Sequence, residues 1–109
     1  MKKILLVISC LIPLQSIAAI EHCDNVKLKT VVVEGPRDDN FYLQNKLVLK
    51  LDQECFGMDY VHAGLKHPAF SGFLAIALAA KAADTPVRIA INTNTTTPLS
   101  HQIAFIQLQ

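Results

Sequence analysis

The chain has 109 residues, of which 51% are hydrophobic, and its formal net charge is +1. This length allows one small domain with a modest core. A near-neutral charge argues against binding to nucleic acid, which needs a concentrated basic surface, and against electrostatic attraction to anionic lipid.

The N-terminus has the three parts of a secretory signal peptide. Lys2 and Lys3 precede an apolar run over residues 4–14, and small residues follow at 16–19. The apolar run is shorter than the roughly 20 residues that a membrane span needs. We therefore predict a signal peptide over residues 1–18 and one secreted or periplasmic domain over residues 19–109. Loss of the two lysines changes the formal charge from +1 to −1, because eight basic residues then face nine acidic ones.

Two of the three cysteines lie in the predicted mature domain. Cys10 falls within the signal, where a lipoprotein signal ending at Cys10 is the alternative, but the apolar run before it is very short. Cys23 and Cys55 form an even pair in an oxidising compartment, so we predict a disulfide between them. A metal pair or a reactive thiol is disfavoured, because no Cys-x-x-Cys motif or closely spaced histidines accompany them.

The first half of the mature chain predicts strands. Residues 26–34 alternate and are rich in β-branched side chains, and residues 35–40 form a turn with glycine and proline. Residues 41–51 also alternate, which fits either one long strand or a hairpin broken near residues 44–46. Residues 52–67 are irregular in pattern.

The second half predicts one helix followed by two strands. Pro68 suits the first turn of a helix over residues 69–83, and Pro86 ends it. Alternating residues predict strands over 87–93 and 102–108, joined by a polar loop. The order of elements predicts a mainly β fold with one inserted helix, either an antiparallel sheet or a small barrel. A five-stranded antiparallel barrel of the oligonucleotide/oligosaccharide-binding (OB) type fits the count and length.

The predicted helix is apolar around most of its circumference, although it should belong to a small domain. A helix of this kind is usually covered on more than one side. We therefore predict an oligomer interface on this helix, at Phe73, Ile76, Ala79, Ala80 and Ala83. The alternative is that its alanines tolerate solvent. Stable membrane insertion is disfavoured, because 15 residues are short for a span.

No catalytic or metal-binding motif is present in the sequence. The spacing of the histidines matches no structural zinc pattern, and no serine has a nucleophile-elbow context. We therefore expect no enzyme activity, no metal and no cofactor. The segment around Tyr60 and His62 combines an aromatic ring with polar groups, as carbohydrate sites do, although plain loops share this composition.

Two short segments resemble a known family. Pro68-Ala69-Phe70, a helix of about four turns, and Thr85-Pro86-Val87-Arg88-Ile89 are similar to the B subunits of subtilase-cytotoxin and pertussis-like AB toxins. The resemblance implies an OB barrel that forms a pentamer with its helices around a central pore. It also implies a sialylated glycan as ligand and a catalytic A subunit as a candidate partner.

Three features depart from that family pattern. The chain has no tryptophan, so the family's Trp-x-Tyr-Pro segment is absent, and residues 92–98 stand in its place. Asp24 and Asn25 lie where the family has its glycan-binding serine, and we include them with Tyr60 and His62 as candidate ligand-binding residues. The family's cysteines pair across its second and third strands, whereas Cys23 precedes the first strand predicted here.

These observations predict a secreted or periplasmic, non-catalytic binding module that resembles a toxin B subunit, forms homo-oligomers and takes a glycan as its candidate ligand. The alternative is a monomeric periplasmic inhibitor or accessory protein that blocks a partner enzyme through residues 52–67.

Overall fold

The computed structural model describes residues 20–109, so the predicted signal peptide over residues 1–18 lies outside the described residues. The described part is mainly β with one helix, as the sequence predicted. Its elements are β1 (Ile20–Val26), β2 (Leu28–Glu34), β3 (Lys46–Cys55), β4 (Met58–Gly64), α1 (Phe70–Ala83), β5 (Val87–Thr96) and β6 (His101–Leu108).

All six strands belong to one sheet in the order β1-β5-β6-β4-β3-β2. The β4–β6 pair is parallel and the other neighbouring pairs are antiparallel. β1 and β2 lie at opposite edges of this order, yet only Lys27 separates them along the chain. The sheet must therefore curve until its two edges meet at Lys27.

Two hydrogen bonds to Asp52 of β3 fix the chain at this bend, which we call the Lys27 corner. The Asp52 N–H donates to the Lys27 carbonyl oxygen at 2.9 Å, and the Lys27 N–H donates to Asp52 Oδ1 at 3.0 Å. The backbone N–H and carbonyl oxygen of Lys27 therefore both have hydrogen-bond partners where the strand pairing is interrupted, which stabilises the bend.

The core lies inside the curved sheet, because alternate residues of each strand point inward. Leu47, Leu49 and Leu51 of β3 and Ile89 and Ile91 of β5 are almost completely buried there. The helix contacts β2 and β6 and adds Phe73, Ala77 and Ala80 to the core.

The predicted helix is confirmed to within one residue of its start. It ends at Ala83, where Asp84 adopts a left-handed conformation with φ 52° and donates its N–H to carbonyl oxygens of the last turn. Pro86 then prevents further helix, because it has no N–H to donate. Within residues 20–109, no helix is long and apolar enough to cross a membrane.

The sheet has six strands where five were predicted, because the first strand begins earlier and is interrupted at Lys27. Cys23 therefore lies within β1 and not before the first strand. Residues 42–45 form turns and β3 starts at Lys46, so residues 41–51 are neither one strand nor a hairpin.

The segment expected to be irregular, residues 52–67, contains the end of β3 and all of β4. Phe56 and Gly57 form the tight turn between these strands, with φ 51° and 87°. A positive φ is uncommon for phenylalanine, so the sequence gives no ordinary hairpin signal at this position.

The predicted disulfide between Cys23 and Cys55 is confirmed. It joins β1 to the end of β3 with a Cα–Cα distance of 5.9 Å and a sequence separation of 32 residues. Because β1 and β3 are not neighbours in the sheet, the bridge links the two parts of the sheet that meet at the Lys27 corner.

Replacing both cysteines by alanine should lower the free energy of unfolding by about 3–4 kcal/mol, because the unfolded chain loses a constraint on a loop of this length. Urea unfolding followed by circular dichroism measures the change. The wild-type protein under reducing conditions is the matched control and should lose a similar amount. Equal stability of the oxidised wild type and the double variant would contradict this account.

Candidate functional site

A cavity of about 350 Å³ opens on the outer face of β2, β3 and β4, on the side of the sheet away from the core. Most of its wall is apolar or aromatic. The lining residues are Thr30, Val32 and Glu34 of β2, Phe41, Tyr42 and Leu43 of the connection between β2 and β3, Val48, Tyr60, and Leu99.

Strand register brings the floor of this cavity together. Val32 of β2 pairs with Val48 of β3, and Val48 pairs with His62 of β4. Since Leu47 and Leu49 point into the core, Val48 between them must point outward. The floor of the cavity is therefore built from strand residues, which makes it rigid.

The connection between β2 and β3 forms one wall. It is closed by hydrogen bonds from the Asn45 N–H to the Gly35 carbonyl oxygen at 3.2 Å and from the Arg37 N–H to Gln44 Oε1 at 2.8 Å. Leu43 is buried on this outer face, although it does not belong to the main core. The connection is thus packed against the sheet and holds its aromatic residues in fixed positions.

Arg37 organises the charged rim of this wall. Its guanidinium lies 4.5 Å from the centre of the Phe41 ring and donates to Glu34 at 3.2 Å and to Asp39 at 2.7 Å. The hydrogen bond from Arg37 lowers the pKa of Asp39, and the same bond raises the pKa of Arg37. The carboxylate of Glu34 at the cavity is therefore partly neutralised by its neighbour.

Two tyrosines give the cavity its aromatic surface. Tyr42 is 40% exposed and its ring lies 5.3 Å from that of Phe41. Burial raises the pKa of Tyr42, and Tyr60 adds to the effect. Lys50 Nζ lies 5.4 Å from the centre of the Tyr60 ring. The hydroxyl groups of both tyrosines can exchange hydrogen bonds with a ligand.

The opposite wall comes from the connection between β5 and β6. Leu99 is 58% exposed and lines the cavity, and the next residue, Ser100, is completely buried. Ser100 Oγ lies 2.7 Å from Nδ1 of His62. This wall is therefore anchored to β4 directly behind its exposed leucine.

Burial lowers the pKa of His62 to about 4, and electrostatic interactions with Lys46 and His101 add to the effect. The histidine is consequently neutral at pH 7. Its contact with Ser100 resembles a base–nucleophile pair, but the serine is completely buried and no substrate can reach it. We interpret the pair as structural. The absence of enzyme activity stays a prediction.

The four predicted ligand-binding residues do not all come together. Tyr60 lines the cavity, and His62 lies next to its floor but is buried. Asp24 instead bonds Arg88 of β5 at 2.6 Å, and the Asn25 N–H donates to Gln109 Oε1 at 2.7 Å. Asp24 and Asn25 therefore lie at the edge of the sheet that pairs with β5, away from the cavity.

Most residues of the cavity were not predicted from the sequence. Thr30, Phe41, Tyr42 and Leu99 were not among the candidate residues. The only available signal was the Phe41-Tyr42 pair directly after a turn, where exposed aromatic residues often serve binding.

The five predicted interface residues are divided between the inside and the outside of the molecule. Phe73 and Ala80 belong to the core, and Ile76 is half-buried against it, whereas Ala79 and Ala83 are exposed. Leu78 is 51% exposed. The outward surface of the helix consists of Ser71, Gly72, Ala75, Leu78, Ala79, Lys81, Ala82 and Ala83.

Among residues 20–109, no group of three or more histidines, cysteines and carboxylates is placed to hold a metal ion. Comparison of the chain with protein families, characterised proteins and solved structures gives no match.

Stability should fall in acid because of His62. Its pKa is about 4 in the folded protein and 6.5 ordinarily, so the unfolded chain binds more protons between these values. The contribution of neutral His62 to the free energy of unfolding is complete above pH 6.5. As the pH falls towards 4, the free energy of unfolding decreases by up to about 3 kcal/mol. Urea unfolding at pH 7, 5.5 and 4.5 measures it. His62→Gln should remove this part of the pH dependence, whereas exposed His22→Gln should leave it unchanged.

Proposed function

We propose that this chain is a secreted or periplasmic, non-catalytic binding module of the toxin B-subunit kind, and that the cavity between Tyr42, Tyr60 and Leu99 is its ligand site. The observation that carries the proposal is an open, largely apolar cavity with a few polar groups on a rigid strand floor. Ligand sites usually combine these properties.

The strand connections support an OB barrel. If β1 and β2 are counted as one bent strand, its first part pairs with β5 and its second part pairs with β3. Along the chain, the helix comes between β4 and β5. OB barrels bind ligands on the face of their second and third strands, between the loops that join strands one to two and four to five. The cavity occupies the corresponding place, since β3 and β4 form its floor and those two connections form its walls.

The lining favours a glycan over a nucleic acid. An aromatic ring can stack on the apolar face of a sugar, and the Thr30 hydroxyl and the Glu34 carboxylate can accept hydrogen bonds from its hydroxyls. A carboxylate at the cavity disfavours a phosphate backbone, which binds where basic groups concentrate. A glycan is therefore the ligand class that best matches the cavity.

Tyr42→Ala and Tyr60→Ala should each weaken binding of a glycan by about tenfold, because each removes one aromatic surface. A glycan array identifies the ligand, and titration calorimetry measures the affinity of each variant. Phe105→Ala, which removes an exposed aromatic residue on β6 outside the cavity, should bind as the wild type does. Binding that survives in both tyrosine variants would refute the cavity as the site.

We further propose that the module forms homo-oligomers through the outward surface of α1, with the pentamer suggested by the family resemblance. Leu78 and the exposed alanines make most of this surface apolar, and Lys81 adds a positive charge to it. Val33 of the neighbouring edge strand β2 is 49% exposed. Alanines allow a second backbone to approach closely. A catalytic A subunit is a candidate partner of such an assembly.

Leu78→Lys should convert the oligomer to a monomer, because the variant would bury a charge without a partner. Light scattering coupled to gel filtration measures the mass. Asn94→Lys, on the exposed end of β5, adds the same charge elsewhere and should leave the mass unchanged. A wild-type protein that is monomeric at high micromolar concentration would exclude the proposed interface.

The alternative of an inhibitor or accessory protein gains support from the β3–β4 turn. Phe56 is 51% exposed at its tip with φ 51°, and an apolar residue held in an unfavourable conformation is a candidate for contact with a partner. A pull-down from periplasmic extract tests it. An inhibitor should retain one protein stoichiometrically, and Phe56→Ser should abolish the capture. Capture that survives in the Phe56→Ser variant would contradict an inhibitor that acts through this turn.

A further inference from the structure

Two successive residues fasten the connection between β5 and β6 to the rest of the sheet. Ser100 Oγ lies 2.7 Å from His62 Nδ1, and Nε2 of His101 donates to the Phe56 carbonyl oxygen at 2.9 Å. Both histidines are buried, with 6% and 8% of their surface exposed. The wall residue Leu99 directly precedes these two contacts, so its position depends on them.

The surroundings of His62 supply positive charge and no bonded carboxylate. On its own face, β3 contributes Lys46 and Lys50, β4 contributes Tyr60, and β6 places neutral Gln102 opposite His62. β2 contributes Glu34, which is opposite Lys46 and is held by Arg37, and Tyr42 comes from the β2–β3 connection. His101 lies on the other side of Ser100. Within the described residues, neither histidine forms an ion pair.

The second histidine has an unsatisfied acceptor. Nε2 of His101 donates to a carbonyl oxygen, and its other ring nitrogen, Nδ1, is buried without a hydrogen-bond partner. Protonation of His62 would place a charge in this buried region, which already faces Lys46.

We infer that His62, Ser100 and His101 form a proton-sensitive latch, which holds residues 97–100 closed over the cavity at neutral pH and releases them in acid. The ligand would then leave, because Leu99 no longer forms its wall. This inference rests on the proposed function for the cavity, but the latch itself is defined by contacts of the protein alone.

The pH dependence of the ratio of open to closed molecules follows from the difference between the pKa values of His62 in the two states. Closed His62 has a pKa of about 4, whereas a solvated histidine has 6.5. The ratio of open to closed molecules should rise about tenfold for each pH unit below 6.5, and about 300-fold in all if the open state fully solvates the ring. Acid therefore shifts the population of the latch towards the open state.

The test is a pH titration of the purified protein from 7.5 to 4.0 by NMR, without ligand. The signals to follow are the Leu99 methyl groups and the His62 ring. The Leu99 methyls should shift between pH 6.5 and 4, while the methyl signals of Leu49 in the core stay constant. His62→Gln should remove the transition, because its amide stays neutral and can still bond Ser100. His22→Gln should titrate as the wild type does.

Three results would overturn the latch. These are Leu99 signals that do not change with pH, a His62→Gln protein that titrates like the wild type, and simultaneous loss of the Leu49 signals, which would mean global unfolding. If His62→Gln fails to fold, Ser100→Ala replaces it and should shift the Leu99 transition to higher pH; no shift in that variant would equally overturn the latch.

Binding measurements distinguish failure of the latch from failure of the proposed function. A glycan found on the array at pH 7 should bind at least tenfold more weakly at pH 5, and His62→Gln should reduce this loss. Opening of the loop without any glycan binding at pH 7 would support the latch and refute the glycan site. Glycan binding that is equal at both pH values would refute the latch and leave the site intact.

Discussion

The continuity of β1 and β2 through Lys27 is the constraint on which the rest of the structure depends. One extended segment provides both edges of the sheet, so the sheet cannot remain open and flat. Closure places the leucines and isoleucines of the other strands inside, where a domain of this size can exclude water from them. Two features hold the sheet closed at the Lys27 corner. They are the hydrogen bonds between Lys27 and Asp52 and the Cys23–Cys55 disulfide.

Closure also determines where binding chemistry can lie. The interior is filled by side chains, and the helix covers part of it with Phe73, Ala77 and Ala80. The proposed ligand site therefore lies on the outer face, where the β2–β3 and β5–β6 connections provide its walls. One wall is fixed by the hydrogen bonds of Arg37 and Asn45, whereas the other depends on the buried contact between Ser100 and His62. The two walls thus respond differently to pH.

The sequence predicted the elements that have strong local signals. The helix was bounded by Pro68 and Pro86, and β5 and β6 had clear alternation. β4 was missed because Phe56-Gly57 is an unusual turn, whose left-handed phenylalanine is held by the contact of its carbonyl oxygen with distant His101. The break between β1 and β2 at Lys27 was missed for a similar reason, because the hydrogen bonds that stabilise it come from Asp52 on another strand.

The site was harder to predict than the fold, because its residues come from five separate parts of the chain. Tyr60 was predicted because polar residues lie near it in the sequence. Nothing in the sequence around Thr30 and Leu99 indicates a binding site, because only the fold brings these two residues to the same cavity. Asp24 and Asn25 were selected by resemblance, and the structure places them in contacts with Arg88 and Gln109 instead. Periodicity identified an apolar helix but could not tell that Leu78 points outward and Ala80 inward.

The disulfide has a consequence for the behaviour of the protein at high concentration. β1 comes first in the described part of the chain and is the one strand that covers the outer edge of β5, whose residues Val87, Ile89 and Ile91 are strongly apolar. An edge strand held only by hydrogen bonds can detach, and an uncovered apolar edge is a template for intermolecular strand pairing. By tying β1 to β3, the bridge keeps that edge covered and so guards the protein against aggregation.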